Sequence, residues 1–127
     1  MTINYLGLEE ILRLHFQVIE DYRGSHGVRD EGRLIPVVKA PRQIVFSKEQ
    51  YPLLHERAAV YLRKMIGDHP FIDSNKRTAV VICGIFLTRN GSGLTAEQQE
   101  LERFVLKIAT NHLEISEIAA WLTKHSK

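Results

Sequence analysis

Nine consecutive residues hold most of the chemistry this chain could do: His69-Pro70-Phe71-Ile72-Asp73-Ser74-Asn75-Lys76-Arg77. They lead directly into the run from Thr78 to Leu87, which is apolar almost all round and reads as a helix buried in a bundle. The amino end of a helix has unpaired N–H groups and a partial positive charge, so it is a ready anion site. Backbone N–H groups near Ser74, Asn75 and Lys76 suit a nest around a phosphate, and Lys76 and Arg77 add two full charges. Asp73 offers the hard oxygen that Mg²⁺ prefers when it is shared with phosphate oxygens. Histidine is the side chain that most often serves as a general base near neutrality, and His69 is the only one in the run. These are parts for phosphoryl or nucleotidyl transfer to a hydroxyl. His69 and Asp73 also have the four-residue spacing of a helical metal pair, but Pro70 argues against regular helix between them.

The chain that must position these groups has 127 residues, enough for one domain spanning 1–127 and its own hydrophobic core. It is too short for a (β/α)₈ barrel, and it lacks the glycine-rich loop, strand lysine and catalytic-loop set of a conventional protein kinase. An apolar share of 44% and a charged share of 25% exclude disordered and fibrous classes. The net charge of +2 is low for a dedicated nucleic-acid binder. One stretch, Arg23 to Arg57, leans positive, with seven Lys or Arg against Asp30, Glu31, Glu49 and Glu56. Such a stretch is either a solvated basic face or a contact for an anionic partner. Cys83 is the single cysteine, and its apolar neighbours mark it as an inert buried thiol. No signal peptide is visible and no apolar run approaches the roughly 20 residues of a membrane span, so the expected setting is cytoplasmic.

Helical periodicity dominates the rest. Leu8, Ile11, Leu12, His15, Val18, Ile19 and Tyr22 form one stripe, broken by Gly24 and Gly27. A short helix is expected over 32–40, confined by Pro36 to a turn or two. The segment 41–52 is bracketed by prolines and contains strand-like Gln43-Ile44-Val45-Phe46, so it reads as a flap or small hairpin. Further helices are expected over 53–66 with Gly67 as stop, over 96–111, and over 116–124 with Ser116 as cap. The fold class is all-α: a compact helical bundle around a buried central helix, with a short flap. His15 and His55 fall within helices as core-edge or surface residues, and none of the histidines outside the nine-residue run has metal-ligand spacing with a partner.

The stretch His69 to Ala79 resembles the active-site motif of the Fic/Doc superfamily. It is similar in particular to the death-on-curing (Doc) branch, whose form is His-x-Phe-x-Asp/Asn-Ala/Gly-Asn-Lys-Arg. Gly27-Val28-Arg29-Asp30-Glu31-Gly32 and the helix ending Leu87-Thr88-Arg89-Asn90-Gly91 fit as well, so the likeness covers about residues 8 to 122. The resemblance implies the Fic/Doc bundle and a toxin of a type II toxin–antitoxin module. That toxin would be a kinase that phosphorylates a threonine of elongation factor Tu and stops translation. It further implies ATP and Mg²⁺, with His69 as base, Asp73 as metal ligand, and Lys76 and Arg77 on the phosphates with Ser74 and Asn75 beside them. Phe71 would be a buried anchor, the flap over 41–51 would align the target, and a Phd-like antitoxin would neutralise the toxin. No membrane and no direct nucleic-acid contact is required.

Two departures bear on the reaction. AMP-transferring Fic relatives have Gly where Lys76 stands and a second Arg at the position of Val80. The resemblance therefore favours phosphate transfer over AMP transfer, with a catalytically silent binding module as a third reading. Ser74 replaces the usual Ala or Gly, and its hydroxyl either adds a phosphate contact or crowds the nest. Gly67 stands where some relatives carry a basic residue. The inhibitory Ser/Thr-x-x-x-Glu-Gly/Asn helix of many Fic proteins has no match, since Thr110 to Glu114 is followed by Ile115. Control would then come from outside the chain.

Overall fold

The computed structural model describes residues 2–127. Six helices carry it: α1 (Leu8–Tyr22), α2 (Glu31–Lys39), α3 (Leu54–Asp68), α4 (Asn75–Arg89), α5 (Gln98–Asn111) and α6 (Ile115–Lys124). A 3₁₀ turn, Ala40–Arg42, leads from α2 into a hairpin of β1 (Ile44–Val45) and β2 (Lys48–Glu49). The pairing is antiparallel, Ile44 opposite Glu49 and Val45 opposite Lys48. No helix among the described residues is long and apolar enough to cross a membrane.

The core lies where α3 and α4 meet. On α4 it takes Ala79, Ile82, Cys83, Phe86 and Leu87, and on α3 Ala58, Ala59, Tyr61, Leu62, Met65 and Ile66. The apolar run at 78–87 is thus central, as expected, and α3 shares that position. Around this pair, α1 packs on α4, α6 on α3, and α5 on both. Phe104 of α5 stacks on Trp121 of α6, with ring centroids 3.9 Å apart. Burial pushes the Cys83 thiol up to about 12, which makes it the inert group its neighbours imply.

Several boundaries differ from expectation. Gly67 does not stop α3, which runs on to Asp68; the stop is His69, in left-handed backbone (φ 48°), followed by Pro70. Ser116 lies inside α6 and caps nothing. Glu114 is the N-cap, and Glu117 bonds back to its amide at 3.1 Å. Helix α2 runs nine residues through Pro36, a full two turns and more, and Asp30 caps its start by accepting from the Gly32 amide at 3.0 Å. Leu8 and Tyr22, at the two ends of the α1 stripe, are exposed, while Ile11, His15, Val18 and Ile19 are buried. His15 in particular is a core residue, 4% exposed.

Candidate active site

The loop between α3 and α4 is bracketed by two non-glycine residues in left-handed backbone, His69 and Ser74 (φ 61°). That conformation costs about 1–2 kcal/mol per residue, so the surroundings must hold it. Inside the loop, buried Asn75 closes a ring of two bonds. Its Oδ1 accepts from the Phe71 amide and its Nδ2 donates to the Phe71 carbonyl, both at 3.0 Å. Phe71 is 1% exposed and packs in the core cluster.

From outside, the segment after α1 runs alongside the loop. The amides of Arg29 and Asp30 donate to the Pro70 carbonyl at 2.8 and 3.1 Å, and the Ile72 amide donates to Gly27 at 3.1 Å. Val28 and Phe71 form an isolated antiparallel bridge. Gly27 has φ 132°, a backbone conformation that residues with a Cβ rarely adopt, so glycine is favoured there. Arg29 Nε donates to the His69 carbonyl at 3.1 Å, and Arg33 to that of Asp68 at 2.8 Å. The basic lean of 23–57 is largely spent this way. Arg57 is buried and bonded to Glu49 and the Tyr51 carbonyl, while Arg42 lies over the Tyr5 ring.

At the amino end of α4, Thr78 is the first residue whose amide finds a backbone carbonyl, that of Ser74 at 3.0 Å. Among the described residues nothing accepts from the amides of Asn75, Lys76 and Arg77, which are the orphan donors of the helix. Beside them sits the Asp73 carboxylate. Its Oδ2 accepts from the Ser25 amide at 2.9 Å and its Oδ1 from the Ser74 amide at 2.8 Å. Those two bonds, with the Arg77 charge added, hold its pKa below the usual carboxylate value, so it is ionised at neutral pH. Lys76 is exposed, and Arg77 lies with its guanidinium 4.2 Å over the Tyr22 ring. His69 is exposed at the other end of the loop.

These groups line a cleft of about 700 Å³. His69, Asp73, Ser74, Asn75, Lys76 and Arg77 are all on its wall, and Val80, Val105 and Leu106 give it an apolar side. Phe71 stands behind the wall. A second cavity of about 330 Å³ opens on the other side of His69, toward Tyr51 at the foot of the flap and Arg63 on α3. Sequence reasoning had no means of finding the α5 wall, about thirty residues from the loop. It also missed His15, whose Nε2 lies 2.9 Å from the Asp73 carbonyl.

Among the described residues no three His, Cys, Asp or Glu gather into a metal cage. One carboxylate among orphan amides, with two cations at hand, is instead the donor set that suits a Mg²⁺ ion sharing phosphate oxygens. A helical bundle with orphan amides at the amino end of its central helix, and a short hairpin between α2 and α3, is the class of protein the chain builds. The chain belongs to the Fic/DOC family, whose profile matches residues 5–87. It is 34% identical over 103 residues to a protein of Mycolicibacterium smegmatis named Toxin Doc, covering 80% of this chain and 79% of that one. It is 31% identical over 122 residues to Protein kinase doc of Escherichia phage P1, covering 96% and 95%.

Proposed function

We propose that this chain is a Doc-type toxin that transfers the γ-phosphate of ATP to a threonine hydroxyl of a translation protein, elongation factor Tu, and so inhibits translation. The observation that carries the reading is the row of three orphan amides beside an ionised Asp73, with His69 exposed across the same cleft. The relatives named Toxin Doc and Protein kinase doc support it. So does Lys76 paired with Val80, since an AMP-transferring site would be expected to carry Gly and Arg there.

In this mechanism the amides of Asn75, Lys76 and Arg77, with the Lys76 charge, bind the phosphates in line with the helix dipole. Asp73 would hold a Mg²⁺ ion shared with those phosphates, which supplies neutralisation of their charge. His69 takes the proton of the attacking hydroxyl. The hydroxyl oxygen bonds to the γ-phosphorus, the bond to the β-phosphate oxygen breaks, and ADP leaves with the electron pair. Asn75 works indirectly: both of its bonds face Phe71, so it holds the loop's shape. The flap would align the acceptor segment by strand-like pairing, and the cavity between Tyr51 and His69 gives that segment a way in. Neutralisation would come from a Phd-like antitoxin.

The test uses two labels. The protein is incubated with Mg²⁺ and a cell extract, once with γ-labelled and once with α-labelled ATP, and labelled proteins are weighed. Label from the γ position alone, on a protein the size of elongation factor Tu, is the expected result. Label from the α position means AMP transfer. Label from neither, with His69→Ala as growth-inhibitory as the wild type, means a silent binding module.

A further inference from the structure

The Mg²⁺ reading rests on a single carboxylate, and Asp73 is held at both ends, its backbone carbonyl by His15 within α1 and its carboxylate by the chain just after α1. His15 occupies a core position of the α1 stripe, where any apolar side chain could fill space. A polar nitrogen there loses its water, a cost met only by a bond. Its Nε2 makes that bond with the Asp73 carbonyl at 2.9 Å, and because a carbonyl only accepts, Nε2 carries the proton. Burial lowers the His15 pKa and keeps the ring neutral. The ring also lies flat on Phe71, centroids 3.6 Å apart and planes 5° from parallel.

Gly24 addresses the other end of Asp73. Its backbone is outside the left-handed region, so conformation does not require glycine. Space does: a Cβ at position 24 would stand 2.6 Å from Asp73 Oδ2 and 3.0 Å from Ile19 Cδ1. The carboxylate occupies the volume any other residue would fill. The next amide, that of Ser25, bonds the same oxygen at 2.9 Å. Each carboxylate oxygen thus takes one amide proton and keeps its other lone pair for a cation.

We infer that His15 and Gly24 are positioning residues for the Asp73 carboxylate, His15 fixing its backbone and Gly24 leaving the space in which Ser25 can hold it. The inference rests on the metal–nucleotide reading of the site. Partners behind a metal ligand commonly account for 10–100-fold in metal affinity.

The experiment reads Mn²⁺ uptake by electron paramagnetic resonance in the presence of ATP, and ATP binding separately in EDTA. His15→Phe keeps the ring on Phe71 and removes the donor, His15→Gln keeps a donor and removes the ring, and Gly24→Ala fills the carboxylate's space. His15→Phe and Gly24→Ala should weaken Mn²⁺ uptake about 10-fold or more. His15→Gln should recover most of the loss, and ATP binding in EDTA should be the same in all four proteins. Wild-type Mn²⁺ affinity in His15→Phe and Gly24→Ala overturns the inference, and so does His15→Gln as weak as His15→Phe. Equal losses with and without metal mean a merely structural role and also overturn it. A wild-type chain that takes up no Mn²⁺ with ATP overturns the kinase reading together with the inference.

Discussion

Two of the segments between helices each contain a pair of non-glycine residues in left-handed backbone: His69 and Ser74 in the loop, Phe46 and Ser47 in the flap. The loop is bonded by Asn75 from within, by residues 25–30 alongside and by His15 from beneath. The flap has its two-residue ladder and the Gln50 to Gln43 bond, with the Arg57–Glu49 pair at its foot. Ile44 is 65% exposed and Phe46 95% exposed at the tip. Similar backbone strain is therefore offset by buried bonds in one segment and left without packing in the other. The proposed function accounts for this contrast: a catalytic loop would have to hold its groups still before substrate arrives, whereas a docking strand would gain its packing from what it binds.

The sharpest test of the loop's side of this comparison is His69→Ala. The ring is exposed, so the variant should unfold at the wild-type denaturant concentration. Transfer from γ-labelled ATP should fall about 10²–10⁴-fold, the usual worth of a general base. Retained transfer removes His69 from that role.

Asn75→Ala should separate holding from chemistry in the same loop. It leaves the Phe71 amide and carbonyl unpaired inside the protein, at about 1–3 kcal/mol for each group. A loss of roughly 2–4 kcal/mol in a urea titration is expected. Wild-type stability would mean that the loop does not depend on its internal ring and is no more firmly held than the flap.

The loop was legible in the sequence because its functional groups are contiguous. Charge, hydroxyl, amide and imidazole within nine residues, at the mouth of an apolar helix, leave few readings. The flap was legible from its prolines and its strand-like run. What holds the loop was not legible, because the decisive contacts join residues 48 to 58 positions apart and depend on how α1 packs. Nothing local distinguishes His15 from any other histidine on a helix stripe, and Gly24 reads as an ordinary helix breaker. Gly67 misled for the opposite reason. Its helix-stopping tendency is local, and the tertiary bonds from Arg29 and Arg33 to the last carbonyls carry α3 past it.

On the flap side, Phe46→Ala should leave stability within about 0.5 kcal/mol of wild type, since the ring touches little. If the flap aligns the acceptor, the same variant should lower kcat/KM for the protein acceptor about tenfold, the effect of losing a modest interface anchor of about 1.4 kcal/mol. ATP affinity should not move. Unchanged kcat/KM would leave the exposed flap without its docking role.

The smallest effect compares the two segments at matched positions. Ser47 and Ser74 both sit in left-handed backbone, with φ 65° and 61°. Glycine adopts that region freely, so Ser47→Gly and Ser74→Gly should each add up to about 1 kcal/mol of stability, less the extra chain entropy that glycine loses on folding. Function should divide them. The bond to Asp73 comes from the Ser74 amide, which glycine retains, and the orphan amides of α4 are untouched. Ser74→Gly should therefore keep ATP affinity. A loss of affinity would assign the hydroxyl a phosphate contact of its own. Ser47→Gly should relieve the strain of the hairpin turn and leave ATP binding alone, with any change confined to the protein acceptor. If both variants altered ATP affinity alike, the two segments would be one coupled unit and the contrast between them would fail.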